Sequence, residues 1–312
     1  MGYLTGGGIG PLVRSVGLSA DDVTAFDLVT GGGQMLRVTP DEHADLFWGL
    51  RGKSMLGIVT AVEIQLLPLP EFYGGAIYFD GERAREVLHA WRRWSATLPE
   101  SANTSVCIQQ LPPLPGTPEL LAGRMTVAVR YTALGDFDEA ERLLQPMRDV
   151  AAPLIDAVGV LPYAAIGAVH ADPVDPMPTH EDHALLRELS ADAVDEILAA
   201  AGPGSSSPQT IVEVRLLGGA LAREPRYRSA FCHRDAAYAL SVIGVLAPAG
   251  GEAVAVHAAA LVGAVAPWAT GGQMPNFAAS ADPSRPGRCY NADALHWLRA
   301  LAQRYDPAAV ML

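Results

Sequence analysis

The chain has 312 residues, half of them hydrophobic and 18% charged, with a formal net charge of −12. That length suits two domains, or one large domain with an appendage, and the acidity argues against nucleic acid as the main partner, because neutralising phosphates takes a basic surface. Cys107, Cys232 and Cys289 match neither a zinc spacing nor a disulfide framework, so a reducing cytoplasm is the expected compartment.

The first residues, Met1-Gly2-Tyr3-Leu4-Thr5, have no positive region and no apolar core, so no signal peptide is read there. Ala25 to Thr30 is predicted as a strand, Gly31 to Gly33 as a turn and Gln34 to Val38 as the returning strand. Thr39-Pro40-Asp41-Glu42 has the form of a capping box with Pro at the first helical position, ahead of a short helix burying Leu46, Phe47 and Leu50. Gly57 to Leu67 reads as a strand buried on much of both faces, and Pro68-Leu69-Pro70 as a boundary.

Beyond it come a strand over Gly74 to Phe79, a helix over Arg83 to Thr97, a strand pair near Thr104 to Leu111 and Arg124 to Thr132, and a helix over Phe137 to Val150. That order predicts an α+β domain with an antiparallel sheet flanked by helices. Ser190 caps a further helix that Gly202 ends; strands follow at Thr210 to Leu217 and Ala237 to Leu246. Ala253 to Ala269 is the most apolar stretch, but it carries His257 and Pro267 and is short for a membrane span, so a buried amphipathic helix is expected. An irregular stretch from Thr270 to Arg288 precedes a last helix, Ala292 to Tyr305, capped by Asn291 and burying Leu295, Leu298 and Leu301.

Few motifs carry chemistry. Thr5-Gly6-Gly7-Gly8-Ile9-Gly10 fails as a dinucleotide fingerprint, since the third glycine of the pattern would fall on Pro11 or Val13. Glycines still let backbone amides approach a flat or anionic ligand, so ligand contact and a plain tight turn both remain open. Gly52-Lys53-Ser54 lacks the earlier glycine of a phosphate loop, which is Phe47 here, and ATP is rejected. His180-Glu181-Asp182-His183 reads as carboxylates answering a helix dipole in a first turn in preference to a metal pair; no metal is expected. His233-Arg234-Asp235 is a candidate polar site, with a surface ion pair as its plainer reading.

Several blocks together carry a resemblance: Gly2-Tyr3-Leu4-Thr5-Gly6-Gly7-Gly8-Ile9-Gly10, Val16-Gly17-Leu18, Asp21-Asp22-Val23, Asp45-Leu46-Phe47-Trp48-Gly49-Leu50-Arg51-Gly52 and Gly57-Ile58-Val59-Thr60. In order and spacing they resemble the second half of the flavin-binding domain of berberine bridge enzyme-like FAD-linked oxidases, in the vanillyl-alcohol oxidase (PCMH-type) superfamily. Leu217-Gly218-Gly219-Ala220, Ala230 to Arg234, Pro275-Asn276-Phe277, Tyr290 and Arg304-Tyr305-Asp306-Pro307 resemble later parts of the same family.

The resemblance implies a partial FAD-binding domain at residues 1–70, a substrate domain at 71–269 and a segment at 270–312 returning to the flavin domain. It implies hydride transfer from a small organic substrate to FAD, with dioxygen as the acceptor; charge and hydropathy give no nucleic-acid or membrane partner as the expectation. Gly6, Gly7, Gly8 and Gly10 would pass near the cofactor; Gly57, Ile58 and Val59 would contact its nucleotide part; Asn276 would lie near the isoalloxazine or the substrate.

The sequence also departs from the family. The half-domain that carries the pyrophosphate loop and the flavin-attaching histidine has no counterpart, so the chain is expected to be a fragment without covalent flavin. A non-enzymatic remnant or ligand-binding module is the competing reading. Arg51 to Gly57 is one residue shorter than usual, the chain stops at Leu312 where relatives continue, and apolar surface is expected to be exposed. The tyrosine that often precedes the asparagine by two positions is Met274, and the glutamate used as base in some members falls on Arg215, with Glu213 on the same strand face as an ion-pair partner. No catalytic base is assigned.

Overall fold

The computed structural model describes residues 1–53, 56–113, 116–173, 175–246, 251–277 and 283–311. Two single helical turns, α1 (Gly2–Thr5) and α2 (Val13–Val16), flank the glycine run. β1 (Val23–Val29) and β2 (Met35–Val38) form the expected hairpin, with Val29 opposite Met35. Thr39, however, caps no helix. Its Oγ1 accepts from the amides of Asp41 and Glu42 and closes a turn that contains Pro40. α3 (Ala44–Leu50) starts only after His43, whose φ of 54° ends that turn, and it buries Leu46, Phe47 and Leu50 on one stripe.

β3 (Ile58–Ile64) lies on the far side of β1, giving the order β2-β1-β3. The expectation that this strand is buried on both faces fails. Among the described residues it pairs only with β1, and Ile58 and Ile64 are 59% and 44% exposed. Its apolar composition belongs to an uncovered edge, a pattern that sequence cannot tell from a core strand.

From Glu71 onward the chain builds an eight-stranded antiparallel sheet, starting with β4 (Glu71–Asp80), α4 (Ala84–Ser95), β5 (Ala102–Gln110), β6 (Met125–Ala133) and α5 (Phe137–Arg148). Two short strands, β7 (Ile155–Asp156) and β8 (Gly159–Pro162), run along β4 and lead into a 3₁₀ segment, Tyr163–Val169. β9 (Thr179–Leu186) corrects the helical reading of His180 to His183: it pairs with the later strand β11, with His183 opposite Ser241. Residues three apart on a strand point to opposite faces, so these two histidines do not form a metal pair.

α6 (Ala191–Ala201) begins at Ser190, whose Oγ accepts from Ala193 N at 3.1 Å. β10 (Ile211–Leu216), β11 (Tyr238–Val245) and α7 (Gly251–Ala264) complete the sheet and its helical layer. Among its described residues the stretch expected to be irregular contains a short helix, α8 (Arg285–Cys289), and α9 (Ala292–Tyr305) follows with Asn291 as its cap. The sheet order is β7-β4-β6-β5-β10-β11-β9, with β8 beside β4.

Strand alternation divides this sheet chemically. One face sends Ile77, Val106, Val129, Val214 and Leu240 into a core with helical residues such as Trp91, Leu144 and Ile197. The other carries Asn103, Ser105, Gln109, Thr126, Arg130, Thr132, Glu213, Ser241 and His183, all buried although polar. A polar face is buried only if something covers it and satisfies it. The glycine-run segment does so in part: Thr132 Oγ1 donates to Pro11 O at 2.7 Å, and Arg14 N donates to Asn103 Oδ1 at 2.7 Å. Gln273 adds a bond from Nε2 to His183 O at 2.8 Å. α9 packs back on the first sheet, where Leu298, Leu301 and Tyr305 join Phe26, Phe47 and Leu50.

Candidate active site

Glu213 is the hub of the polar face. Its Oε1 accepts from Ser105 Oγ at 2.6 Å and from Arg130 Nη1 at 2.7 Å, and its Oε2 accepts from Arg215 Nη2 at 3.1 Å. β10 places Glu213 and Arg215 two residues apart and therefore on one face, while β5 and β6 bring Ser105 and Arg130 alongside. Burial alone would raise the Glu213 carboxyl, but Arg215 and Arg130 beside it hold it well below the usual carboxylate range. It is a fixed anion and, for the same reason, a weak proton acceptor.

His170 follows the 3₁₀ segment and closes the cluster from above. Its Nε2 accepts from Arg215 Nη2 at 2.8 Å and lies 3.3 Å from Glu213 Oε1. Burial and the Arg215 charge lower its pKa, so the imidazole is neutral at pH 7. Burial pushes the Cys107 thiol up to about 12, so that side chain adds no charge. A recess between Gly10, Pro11, Val13 and this cluster has room for one water-sized group, about 10 Å³.

Gly10, Pro11 and Val13 also form one wall of a larger groove of about 300 Å³. Its other walls are Ile64 to Leu67 after β3 and Tyr163 with Ile166 of the 3₁₀ segment. The remaining glycines of the run face other partners. A Cβ on Gly6 would lie 1.4 Å from Asn276 Oδ1, and one on Gly7 2.7 Å from the Phe231 ring; Gly8 abuts Ser19 and Tyr3. Gly7 and Gly8 also have φ of 111° and 77°, which side-chain-bearing residues seldom adopt. Asn276 thus meets the glycine run directly and donates from Nδ2 to Tyr3 O at 2.9 Å. Gly57, Ile58 and Val59 stand apart from this, at the start of the exposed edge strand, where Gly57 approaches Leu28 and Val29 O.

Other expected sites resolve differently. Arg234 is no surface ion-pair residue: its guanidinium, 14% exposed, donates to both oxygens of Asp21 at 3.0 and 2.6 Å. His233 Nε2 donates to Arg288 O at 2.7 Å. Gly52 of the Gly-Lys-Ser run meets the Phe231 backbone and accepts from Tyr290 Oη at 2.9 Å, while Ser54 lies outside the described residues. Met274 is core, 1% exposed beside Leu185 and Phe231. Among the described residues no group of three or more His, Cys, Asp or Glu side chains could hold a metal ion, and no helix is long and apolar enough to cross a membrane.

Sequence reasoning missed Arg130, Ser105 and His170. The alternation Thr126, Arg130, Thr132 on β6 was a usable signal for a polar face, but nothing in sequence placed His170 over Arg215.

No family model matches the chain. It is 29% identical over 182 residues, 55% of its own length and 36% of the other's, to (R)-6-hydroxynicotine oxidase of Paenarthrobacter nicotinovorans. Over 97 residues, 29% of this chain and 18% of the other, it is 36% identical to a berberine bridge enzyme-like protein of Arabidopsis thaliana. The crystal structure of 6-hydroxy-D-nicotine oxidase from Arthrobacter nicotinovorans superposes with a TM-score of 0.81 at 23% identity, covering 98% of this chain and 68% of that one. The chain is a relative of the berberine bridge enzyme-like FAD-linked oxidoreductases. The α+β fold, with its antiparallel sheet and flanking helices, is the one it shares with those FAD-binding proteins. The chain spans 36% and 18% of the length of these two curated relatives.

Proposed function

We propose that the chain is part of an FAD-dependent oxidoreductase of the berberine bridge enzyme-like type, acting on a small organic substrate with dioxygen as electron acceptor in the cytoplasm. The observation that carries this reading is the shared wall of Gly10, Pro11 and Val13. It sets a mainly apolar groove, which also carries Asp22 and Gln65, directly against a buried cluster of charged and titratable groups, the arrangement expected of a ligand site.

The groove fits the cofactor in part. Its 300 Å³ stands at the lower end of ligand pockets, roughly 300–1,000 Å³, which suits a flat ring system better than a whole dinucleotide. In this reading residues 1–70 and 270–312 belong to the flavin side of the molecule and 71–269 to the substrate side. Gly6, Gly7, Gly8, Gly10 and Asn276 shape the cofactor's bed, and Gly57, Ile58 and Val59 meet its nucleotide portion along the open edge of β3. FAD, when bound, supplies the hydride-accepting ring. The chain's own residues do the rest. Tyr163 and Ile166 line the groove, Glu213 fixes the two guanidiniums, and the neutral His170 imidazole holds Arg215 in place by accepting from its Nη2.

Titration of the purified protein with FAD tests this, read by the visible flavin spectrum and by equilibrium dialysis. Saturable binding that is lost in Gly10→Leu, which fills the groove wall, supports the proposal. A protein that stays colourless and retains no FAD at any concentration sinks it.

A further inference from the structure

The polar cluster holds more positive charge than it uses. Two guanidiniums, Arg130 and Arg215, face one carboxylate, Glu213. The next carboxylate acting on Arg130, Asp172, is exposed, and the neighbouring Cys107 and His170 carry no charge at pH 7. Beyond Glu213, the second positive charge is answered only by that exposed carboxylate, in a place largely shut off from water, where a weakly paired charge is costly. The donors are unspent as well. Arg130 Nε is buried without a hydrogen-bond partner, although its side chain is 5% exposed. Arg215 engages His170 and Glu213 through Nη2 alone.

These groups line the recess with room for one water-sized atom, and the recess shares Gly10, Pro11 and Val13 with the groove. A guanidinium fork is matched in shape and charge by a carboxylate. We propose that the recess is an anion subsite, in which Arg215, backed by Arg130, receives one oxygen of a carboxylate borne by the molecule lying in the groove. This deepens the function proposed above: it rests on the substrate lying in the groove against the flavin ring, and it makes the substrate class a small organic acid. Glu213 then serves as a positioning residue. By holding Nη1 of Arg130 and Nη2 of Arg215 it fixes both guanidiniums at the recess they line.

Isothermal titration of the purified protein, without added FAD, with benzoate and with its uncharged isostere benzamide tests the subsite. The expected result is saturable benzoate binding, at least about tenfold weaker benzamide binding, and a similar loss of benzoate affinity in Arg215→Gln, as for removal of a charged hydrogen bond. Equal binding of the two probes by the wild-type protein, or no saturable benzoate binding, overturns the proposal whether or not Arg215→Gln folds. Benzoate affinity unchanged in a folded Arg215→Gln overturns it too. The FAD titration on the same preparation separates the two readings. FAD binding without benzoate discrimination removes the acid subsite alone, and benzoate discrimination without FAD binding removes the flavin reading alone.

Discussion

Arg14 reaches from the glycine-run segment into the large sheet, where its Nε donates to the carbonyl oxygen of Ala102 at 2.9 Å. Its other nitrogens reach Leu217 O, Leu98 O and Pro99 O, so one side chain 8% exposed answers four carbonyls from three places in the chain. Gly218 and Gly219 make the approach possible: both have positive φ, and a Cβ on Gly219 would sit 2.4 Å from Arg14 O. Arg14→Leu leaves those carbonyls buried without a donor. We expect a loss of about 3 kcal/mol in urea unfolding, and a variant within 0.5 kcal/mol of wild type would show the contact to be dispensable.

Asp21 answers two cations, Arg234 through both carboxylate oxygens and Arg51 at 3.7 Å. Arg51 is fully buried, and its Nε donates to Ala20 O at 2.8 Å. Removing Asp21 takes the carboxylate from both guanidiniums, which keep only carbonyl partners, whereas removing Arg234 leaves Asp21 a remaining cation. Asp21→Ala is therefore expected to cost more than Arg234→Ala, by roughly 1–2 kcal/mol, measured by thermal unfolding of the two variants side by side. The reverse ranking would contradict the shared-anion account.

Gly6 has an ordinary φ of −95°, so its need for glycine is one of space, not of backbone angle. The atom in the way is the end of the Asn276 side chain. Gly6→Ala should cost roughly 1–3 kcal/mol through overpacking, and Gly6→Ala with Asn276→Ala should recover most of it. Gly52→Ala meets the Phe231 backbone at 2.2 Å instead, and no side-chain truncation at Phe231 is expected to rescue it. Chemical denaturation of the four variants decides the matter.

His183 is 1% exposed, and burial lowers its pKa from 6.5 to about 4. The folded protein holds it neutral while the unfolded chain protonates near 6.5, so unfolding takes up a proton between those values. Stability is thus complete above pH 6.5 and falls as the pH drops toward 4, by about 3 kcal/mol from this group. His170 is lowered too and acts in the same direction. His183→Leu should flatten, without abolishing, the decline in unfolding free energy over that window. An unchanged slope would mean that His183 is accessible to protons in the folded state.

Much local chemistry was legible in the sequence, although the Thr39 capping box proved to be a turn that ends before α3. The β1–β2 hairpin, the Ser190 and Asn291 caps, the buried stripes of α3 and α9 and the Glu213–Arg215 pair all follow from neighbours along the chain. So did the family blocks, because they are strings of residues. What failed failed for want of a partner. Ile58 to Ile64 has the composition of a core strand, and only the fold decides that its second edge stays uncovered. His180 to His183 is polar enough for a helix start, and only pairing with Tyr238–Val245 makes it a strand.

By itself, then, the sequence determined the α+β order, the Ser190 and Asn291 caps and the likeness to flavin-linked oxidases, since each is written in short-range spacing. The tertiary structure decided where charge is buried. It set Arg14 against Ala102, closed Arg234 on Asp21, and gathered Ser105, Arg130, His170, Glu213 and Arg215 from four separate segments beneath Gly10. Burial and the distance between charges set the sign and size of these interactions, and neither is a property of positions along a chain.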